Sequence, residues 1–242
     1  MSTYDSPYDV DPQDQVRLGN PVQVDRYSAG ARLNHWLTAS CLVLLAISGF
    51  ALFEPSLFFL TTLFGGGQNT RAIHPWIGVV LFFSFAGLFI RFWRANLWRP
   101  EDGTWMRRLY DVVTNREENL PEVGRYNAGQ KVVFWSMSLL ITILIVTGLI
   151  IWNRYFAEFS TVEQKRIAVL IHSAVAVAIV SVWIVHVYAA IWLRGTFSAM
   201  TKGHVTGGWA WKHHRKWLKE LVSGKRVEKG DTAAPAKRKV SA

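Results

Sequence analysis

The chain has 242 residues, of which 50% are hydrophobic and 14% aromatic, and it carries a formal net charge of +10. Its one cysteine, Cys41, excludes a disulfide framework and a thiolate metal site built from this chain alone; we expect it to be a small core residue. The net charge is weak evidence for nucleic acid, because the basic residues are divided among several segments.

The two ends of the chain differ in composition from its middle. Residues 1–25 contain five aspartates and no apolar run, which indicates a flexible acidic arm and no cleavable signal peptide. Residues 221–242 are dominated by Lys, Arg, Ala and Ser, and we expect this basic tail to be disordered. The domain proper is predicted to cover residues 26–220.

Four apolar blocks occupy that domain, at about residues 36–53, 75–93, 132–152 and 167–193. At about 1.5 Å of helical rise per residue, each can cross a hydrocarbon layer of about 30 Å. The alternative is four buried helices of a soluble α-protein, but such helices usually carry a polar stripe. These blocks carry almost none, so the sequence predicts an all-α, integral membrane four-helix bundle.

Basic residues are distributed unequally between the loops on the two sides of the predicted bundle. Of the 27 Lys and Arg, 23 lie in the N-terminal arm, the middle loop with its flanks, or the C-terminal tail, and 4 lie in the other two loops. Since Lys and Arg are retained on the cytoplasmic side, both termini are predicted to be cytoplasmic.

Four histidines fall within or beside the apolar blocks, at two depths. His35 is at the inner end of the first block and His186 is in the inner part of the fourth, whereas His74 and His172 are near the outer ends of the second and fourth. The 14 residues between His172 and His186 are close to four helical turns, or about 21 Å, so both side chains point to nearly the same side of one helix.

Two matched pairs of histidines favour cofactor binding. A single membrane histidine is more often a packing residue or a step in a proton path. Imidazole is a common axial ligand of haem iron, and histidines on facing helices can hold such a group, so His35 with His186 and His74 with His172 predict two b-type haems. A zinc site would need ligands at one depth, and the chain has no Cys-x-x-Cys-His for covalent haem.

Other residues near these sites have more ordinary interpretations. Gly49 and Gly78 could leave room for a flat macrocycle, but glycine is also common in helix contacts. Pro75 suits the first turn of the second helix. The three further histidines, His204, His213 and His214, lie in a Lys/Trp-rich segment and are predicted to be surface residues near lipid headgroups.

The segment "GRYNAGQKVVFW" (124–135) precedes the third helix on the inner side. Asn127 and Gln130 could donate hydrogen bonds to the carbonyls of a quinone near His186. Their spacing is equally typical of an N-cap and its capping-box partner, and the residues alone do not decide between these roles.

Several short motifs occur along the chain: "RLNHW" (32–36), "IHPWIG" (73–78), "GRYNAGQKVVFW", "TGLIIW" (147–152), "LIHSA" (170–174), "IVHVYAAIW" (184–192) and "WKHHRKW" (211–217). Together they resemble the cytochrome b membrane subunit (gamma subunit, b556 type) of respiratory formate dehydrogenase, within the wider dihaem cytochromes b that include nickel–iron hydrogenase subunits. The resemblance covers about residues 26–220.

The resemblance implies a bacterial inner-membrane protein with two haem b groups: an inner one on His35 and His186 and an outer one on His74 and His172. It further implies a menaquinone or ubiquinone pocket at Asn127, Gly129 and Gln130, beside His186. The partners would be an iron–sulfur beta subunit and a molybdenum- or tungsten-containing alpha subunit that oxidises formate, with membrane lipid around the helices and no nucleic acid. In that complex the chain transfers electrons to quinone and does not itself oxidise formate.

Two alternatives remain at the level of sequence. The same arrangement could serve a hydrogenase or another quinone-linked dehydrogenase. The chain could also be a membrane anchor without haem, in which case the histidines would have packing or proton-transfer roles.

Overall fold

The computed structural model describes residues 13–114, 116–224 and 227–228. The chain divides into two compact units that alternate along the sequence. The bundle unit contains residues 29–100 and 128–194, and the sheet unit contains the described parts of 1–28, 101–127 and 195–242. The single domain predicted for residues 26–220 is therefore divided between the two units. The middle loop and the segments before the first and after the last long helix together form the sheet unit.

The secondary structure of the described residues is mostly helical. The helices are α1 (Ala29–Phe53), α2 (Gly67–Phe92), α3 (Pro100–Arg107), α4 (Leu109–Val113), α5 (Ala128–Ile151), α6 (Asn153–Phe156), α7 (Val162–Trp192), α8 (Thr196–Thr201), α9 (Gly207–His213) and α10 (Arg215–Ser223). The strands are β1 (Val16–Arg17), β2 (Gln23–Asp25), β3 (His204–Thr206) and β4 (Val227–Glu228), and 3₁₀ segments include Pro55–Phe64.

Helices α1, α2, α5 and α7 are long and apolar enough to cross a membrane. Only 11–17% of the most apolar window of each helix is buried within the protein, and large side chains such as Phe83, Ile90 and Leu170 are 69–73% exposed. In a soluble bundle these faces would be turned inward, whereas in a bilayer they contact lipid. The prediction of an all-α fold with four membrane-spanning helices is confirmed.

The four helices extend beyond the apolar blocks because polar residues begin or continue them. Helix α7 starts with a capping box: the Thr161 side chain accepts from the Gln164 backbone N–H, and the Gln164 side chain accepts from the Thr161 backbone N–H. Helix α2 starts at Gly67, so Pro75 lies inside the helix. The prediction that Pro75 occupies the first turn is therefore wrong, since eight helical residues, about two turns, precede it.

In the bundle unit, α1 packs mainly against α2, and α5 packs mainly against α7. Its buried core contains Cys41, Leu42, Leu81, Ile141 and Ile179, which come from all four helices. Cys41 is a free, buried thiol, as predicted for a small core residue.

The sheet unit contains a four-stranded sheet with the order β3-β2-β1-β4. Strands β1 and β2 pair antiparallel with Val16 opposite Val24, and β2 pairs with β3 with Val24 opposite Val205. These three valines pack with Trp217 and Leu221 of α10, so residues distant in the chain share one apolar core.

The described parts of the two terminal segments are structured, in contrast to the sequence-based expectation. Within the acidic arm, β1 and β2 join the sheet and Asp14 is fully buried. At the start of the basic tail, Leu221 is buried in α10, and β4 pairs parallel with β1. The remaining parts of these two predictions, residues 1–12, 225–226 and 229–242, lie outside the described residues.

Candidate functional site

The inner pair of predicted ligands comes from α1 and α7. The ring centroids of His35 and His186 are 6.3 Å apart, with an interplanar angle of 56°. Trp36 packs edge-on against His35, with its centroid at 5.6 Å. The Nδ1 atom of His35 is buried and has no hydrogen-bond partner among the described residues.

The outer pair comes from α2 and α7. The ring centroids of His74 and His172 are 6.4 Å apart, with an interplanar angle of 64°. The structure therefore brings the four predicted histidines together as two couples, and α7 contributes one histidine to each couple.

The spacing within each couple suits two ligands on opposite sides of one metal ion. Two imidazole–metal bonds of about 2 Å, with about 1.1 Å from each nitrogen to its ring centre, place two such ring centres about 6.2 Å apart. The described residues contain no group of three or more His, Cys, Asp or Glu that could hold a metal, so the arrangement does not suit a protein-only zinc site. A metal held by a macrocycle needs only two axial ligands, and each couple contains two imidazoles that could supply them.

Each outer histidine is paired with a hydroxyl on the neighbouring helix. Ser48 Oγ of α1 lies 2.7 Å from His74 Nδ1, and Thr147 Oγ1 of α5 lies 2.8 Å from His172 Nδ1. Both hydroxyls also lie 2.7 Å from the carbonyl four residues earlier in their own helices, at Leu44 and Ile143. The Nε2 side of both rings is thereby left for a ligand.

A glycine follows each of these hydroxyl residues and lets the histidine ring approach the helix. A Cβ atom on Gly49 would lie 3.4 Å from His74 Cε1, and one on Gly148 would lie 3.5 Å from His172 Cε1. The positions are equivalent in the two helix pairs, with Ser48-Gly49 against His74 and Thr147-Gly148 against His172. By contrast, a Cβ on Gly78 would meet nothing within 4 Å.

Next to His35, a polar network connects α1 to α2. Asn34 Nδ2 donates to the Ser84 carbonyl at 2.8 Å, and Ser84 Oγ donates to Asn34 Oδ1 at 2.7 Å. Thr38 Oγ1 lies 2.6 Å from Ser84 Oγ. These hydrogen bonds join α1 to α2 directly beside His35 in the sequence.

Trp76, two residues after His74 in α2, is part of an aromatic cluster. Trp76 packs edge-on against Trp152 and Tyr155, with centroids 5.2 and 6.0 Å apart. Such edge-to-face packing ties the start of α2 to the segment that follows α5.

The predicted quinone residues lie at the start of α5. Helix α5 begins at Ala128, which puts Asn127 in the N-cap position and both Gly129 and Gln130 in the first turn. All three are half-buried. Their position is therefore compatible with capping as well as with ligand binding.

Comparison with known proteins identifies the family. The family profile described as prokaryotic cytochrome b561 matches residues 26–203. The chain belongs to the prokaryotic cytochrome b561 family. It is 43% identical over 196 residues to the formate dehydrogenase cytochrome b556(fdo) subunit of Escherichia coli strain K12, covering 81% of this chain and 92% of that relative.

Two further relatives of this cytochrome b561-family chain carry similar names. The formate dehydrogenase cytochrome b556 subunit of Haemophilus influenzae is 35% identical over 214 residues, covering 88% of this chain and 90% of the relative. The nitrate-inducible cytochrome b556(Fdn) subunit of Escherichia coli strain K12 is 37% identical over 190 residues, covering 78% and 88%. The family resemblance predicted from the motifs is confirmed.

The histidines of the "WKHH" motif in this cytochrome b561-family chain belong to the sheet unit. His214 is 1% exposed, so its prediction as a surface residue near headgroups is wrong. Its Nδ1 donates to the Gly124 carbonyl at 2.8 Å, which links "WKHH" to "GRYN". Burial lowers the pKa of His214 well below its usual value, and the charge of Arg26 lowers it further. Burial also lowers the pKa of the half-buried His213 to about 4.

Two buried arginines organise the interior of the sheet unit. Arg26 and Arg125 each donate from Nη2 to the other's backbone carbonyl. Arg125 Nη1 also donates to Asp14 Oδ2 at 2.5 Å, and Trp217 Nε1 donates to the same oxygen at 3.0 Å. The Arg26 guanidinium carbon lies 4.8 Å from the centroid of Trp217, within the range of a cation–π contact.

Sequence reasoning did not identify Ser48 and Thr147 as partners of the histidines. A signal was nevertheless present, because a hydroxyl residue followed by glycine precedes His74 by 26 residues and His172 by 25 residues. This repeated spacing reflects two helix pairs of similar design, α1–α2 and α5–α7.

Proposed function

We propose that this chain is the membrane cytochrome b subunit of a formate dehydrogenase complex, which passes electrons from an iron–sulfur subunit through two b haems to quinone at the cytoplasmic side. The family and the names of relatives at 35–43% identity support the cytochrome b assignment and the formate dehydrogenase context. The single observation that carries the proposal is the pair of histidine couples at 6.3 and 6.4 Å.

In this proposal His35 and His186 are the axial ligands of the inner haem, and His74 and His172 are those of the outer haem. Haem b supplies one-electron redox chemistry when it is bound. The two α7 ligands, His172 and His186, are 14 residues apart, which is about 21 Å along the helix axis. The apolar core of the bundle, which includes Leu42, Leu81 and Ile179, would exclude water from the space between the two layers.

The proposed quinone site consists of Asn127, Gly129 and Gln130 with His186. The Asn and Gln side chains carry amide donors for the quinone carbonyls, and Gly129 leaves space beside them. Protons for quinone reduction would come from the cytoplasmic side, where we expect both termini because Lys and Arg are unequally distributed between the loops. The iron–sulfur beta subunit and the molybdenum- or tungsten-containing alpha subunit are then expected at the outer face of the bacterial inner membrane.

A haem assay on the purified chain tests the proposal most directly. The pyridine haemochrome method should give two b haems per chain. Replacing His172 with alanine should remove the outer haem and leave one, and His35→Ala should remove the inner haem. The matched control is His213→Ala in the sheet unit, which should retain both haems. A wild-type chain without haem would support the membrane anchor instead.

The dehydrogenase context needs a separate test. The complex should be purified through a tag on this chain, and its metals measured. Molybdenum or tungsten with formate-dependent quinone reduction supports the proposed partner, whereas nickel with hydrogen-dependent reduction would assign the chain to a hydrogenase.

For the quinone site, Gln130→Ala should raise the KM for quinone with both haems retained.

A further inference from the structure

We propose that Ser48 and Thr147 are positioning residues for the outer haem: they hold His74 and His172 as Nδ1–H tautomers with Nε2 toward the iron, and thereby lower the reduction potential of the outer haem. The inference rests on the proposed function, since it assumes that a haem binds between these two histidines.

The hydrogen-bond geometry at Ser48 determines where the protons are. A hydroxyl has one proton to donate, and a backbone carbonyl can only accept. Because Ser48 Oγ lies 2.7 Å from the Leu44 carbonyl and 3.3 Å from the Leu45 carbonyl, its proton points toward the helix backbone. The contact of 2.7 Å with His74 Nδ1 is then a hydrogen bond that the imidazole donates. His74 must carry its proton on Nδ1, which leaves the Nε2 lone pair for a metal.

Thr147 repeats this arrangement on the other side of the outer site. Its Oγ1 lies 2.7 Å from the Ile143 carbonyl and 3.2 Å from the Leu144 carbonyl, so it too accepts from the histidine, His172, at 2.8 Å.

The inner site differs from the outer site in this respect. His35 Nδ1 is buried without a hydrogen-bond partner among the described residues, although the hydroxyl of Thr38 lies on the next turn of the same helix. That hydroxyl is instead used by the Asn34 carbonyl at 2.9 Å and by Ser84. Both histidines of the outer couple therefore have a hydrogen bond between Nδ1 and a side-chain hydroxyl. In the inner couple, the described residues give His35 Nδ1 no such bond.

The expected consequence is a difference in potential between the two haems. A ligand imidazole that donates its second N–H to an acceptor becomes a stronger base toward the metal. A stronger donor favours the oxidised iron, so the hydroxyls lower the potential of the outer haem relative to the inner one. Electrons that enter at the outer face are then favoured to move inward.

The test is an optical redox titration of the purified holoprotein, with haem content measured on the same samples. Ser48→Ala and Thr147→Val should each raise the midpoint potential of the outer haem and leave that of the inner haem unchanged. Ser48→Thr and Thr147→Ser retain the hydroxyl and should keep the wild-type potential.

Ser138→Ala is the matched control. Ser138 is a buried hydroxyl on α5 that donates to the Phe134 carbonyl at 2.7 Å, and its replacement should leave both potentials unchanged. Unaltered potentials in Ser48→Ala with two haems bound would overturn the inference while leaving the proposed function intact. Loss of the outer haem in Ser48→Ala but not in Ser48→Thr or Ser138→Ala would support the positioning role, whereas equal loss in Ser48→Ala and Ser138→Ala would contradict it. Absence of haem from the wild-type protein would refute the proposed function itself.

Discussion

Asp14 is the carboxylate that pairs with the buried Arg125 of the sheet unit, and its removal should destabilise that unit strongly. The residue is fully buried, and its Oδ2 accepts from Arg125 and from the Trp217 indole. In Asp14→Ala the Arg125 guanidinium loses its ion pair and the Trp217 N–H loses its acceptor. Breaking one side of a buried ion pair costs about 3–5 kcal/mol.

The corresponding measurement is hydrogen exchange by mass spectrometry. A loss of about 3–5 kcal/mol should accelerate the exchange of β2 and β3 amides by about two to four orders of magnitude. The exchange of α1 and α5 amides in the bundle unit is the internal standard. Asp25→Ala provides the matched control, because Asp25, whose side chain is 19% exposed, pairs with Arg17, whose side chain is 55% exposed, and ion pairs that reach the solvent contribute about 0–1 kcal/mol. Equal protection in Asp14→Ala and Asp25→Ala would refute the assignment of Asp14 as a buried stabilising charge.

Three further predictions concern single residues. Because burial lowers the pKa of His214 in the folded state, the unfolded state binds more protons below about pH 6.5. The contribution of His214 to the free energy of unfolding should therefore decrease as the pH falls below about 6.5, by up to about 1.4 kcal/mol per pH unit, and His213, whose pKa is also lowered, adds a slope of the same sign. Thermal unfolding between pH 5 and 8 measures this slope, and a slope that is unchanged in His214→Gln would contradict its origin. Gly49→Leu should lose the outer haem in the pyridine haemochrome assay because a side chain there collides with His74, whereas Gly49→Ala should retain it, since its Cβ lies at the contact distance of 3.4 Å. Asn127→Ala should raise the KM for quinone if Asn127 binds the ligand; a loss of about 1 kcal/mol in stability with normal quinone kinetics would instead assign it to capping α5.

Much of the bundle unit could be predicted from the sequence, because its signals are local. Length and uniform apolar character identify a membrane helix without any knowledge of its neighbours. Helical periodicity alone puts His172 and His186 on one side of α7. What periodicity could not supply was the extent of the helices, since polar residues such as Thr161 and Gln164 begin α7 through hydrogen bonds rather than through hydropathy.

The sheet unit could not be predicted, because its defining contacts join distant segments. Asp14 contacts Arg125, which is 111 residues away in the chain, and Trp217, which is 203 residues away. The local sequence around each of these residues, taken alone, is typical of a charged or interfacial loop. The local sequence around His214 is likewise typical of a surface segment. Its hydrogen-bond acceptor is the carbonyl of Gly124, which is 90 residues away in the chain.

The sequence by itself determined the number of membrane-spanning helices and the two depths of the histidines, because both depend on residue type and on helical rise along one segment. The tertiary structure decided which helix faces meet, and therefore which hydroxyl reaches which imidazole. Such contacts depend on how neighbouring helices pack, and helix packing is set by side chains that the chain brings together from far apart.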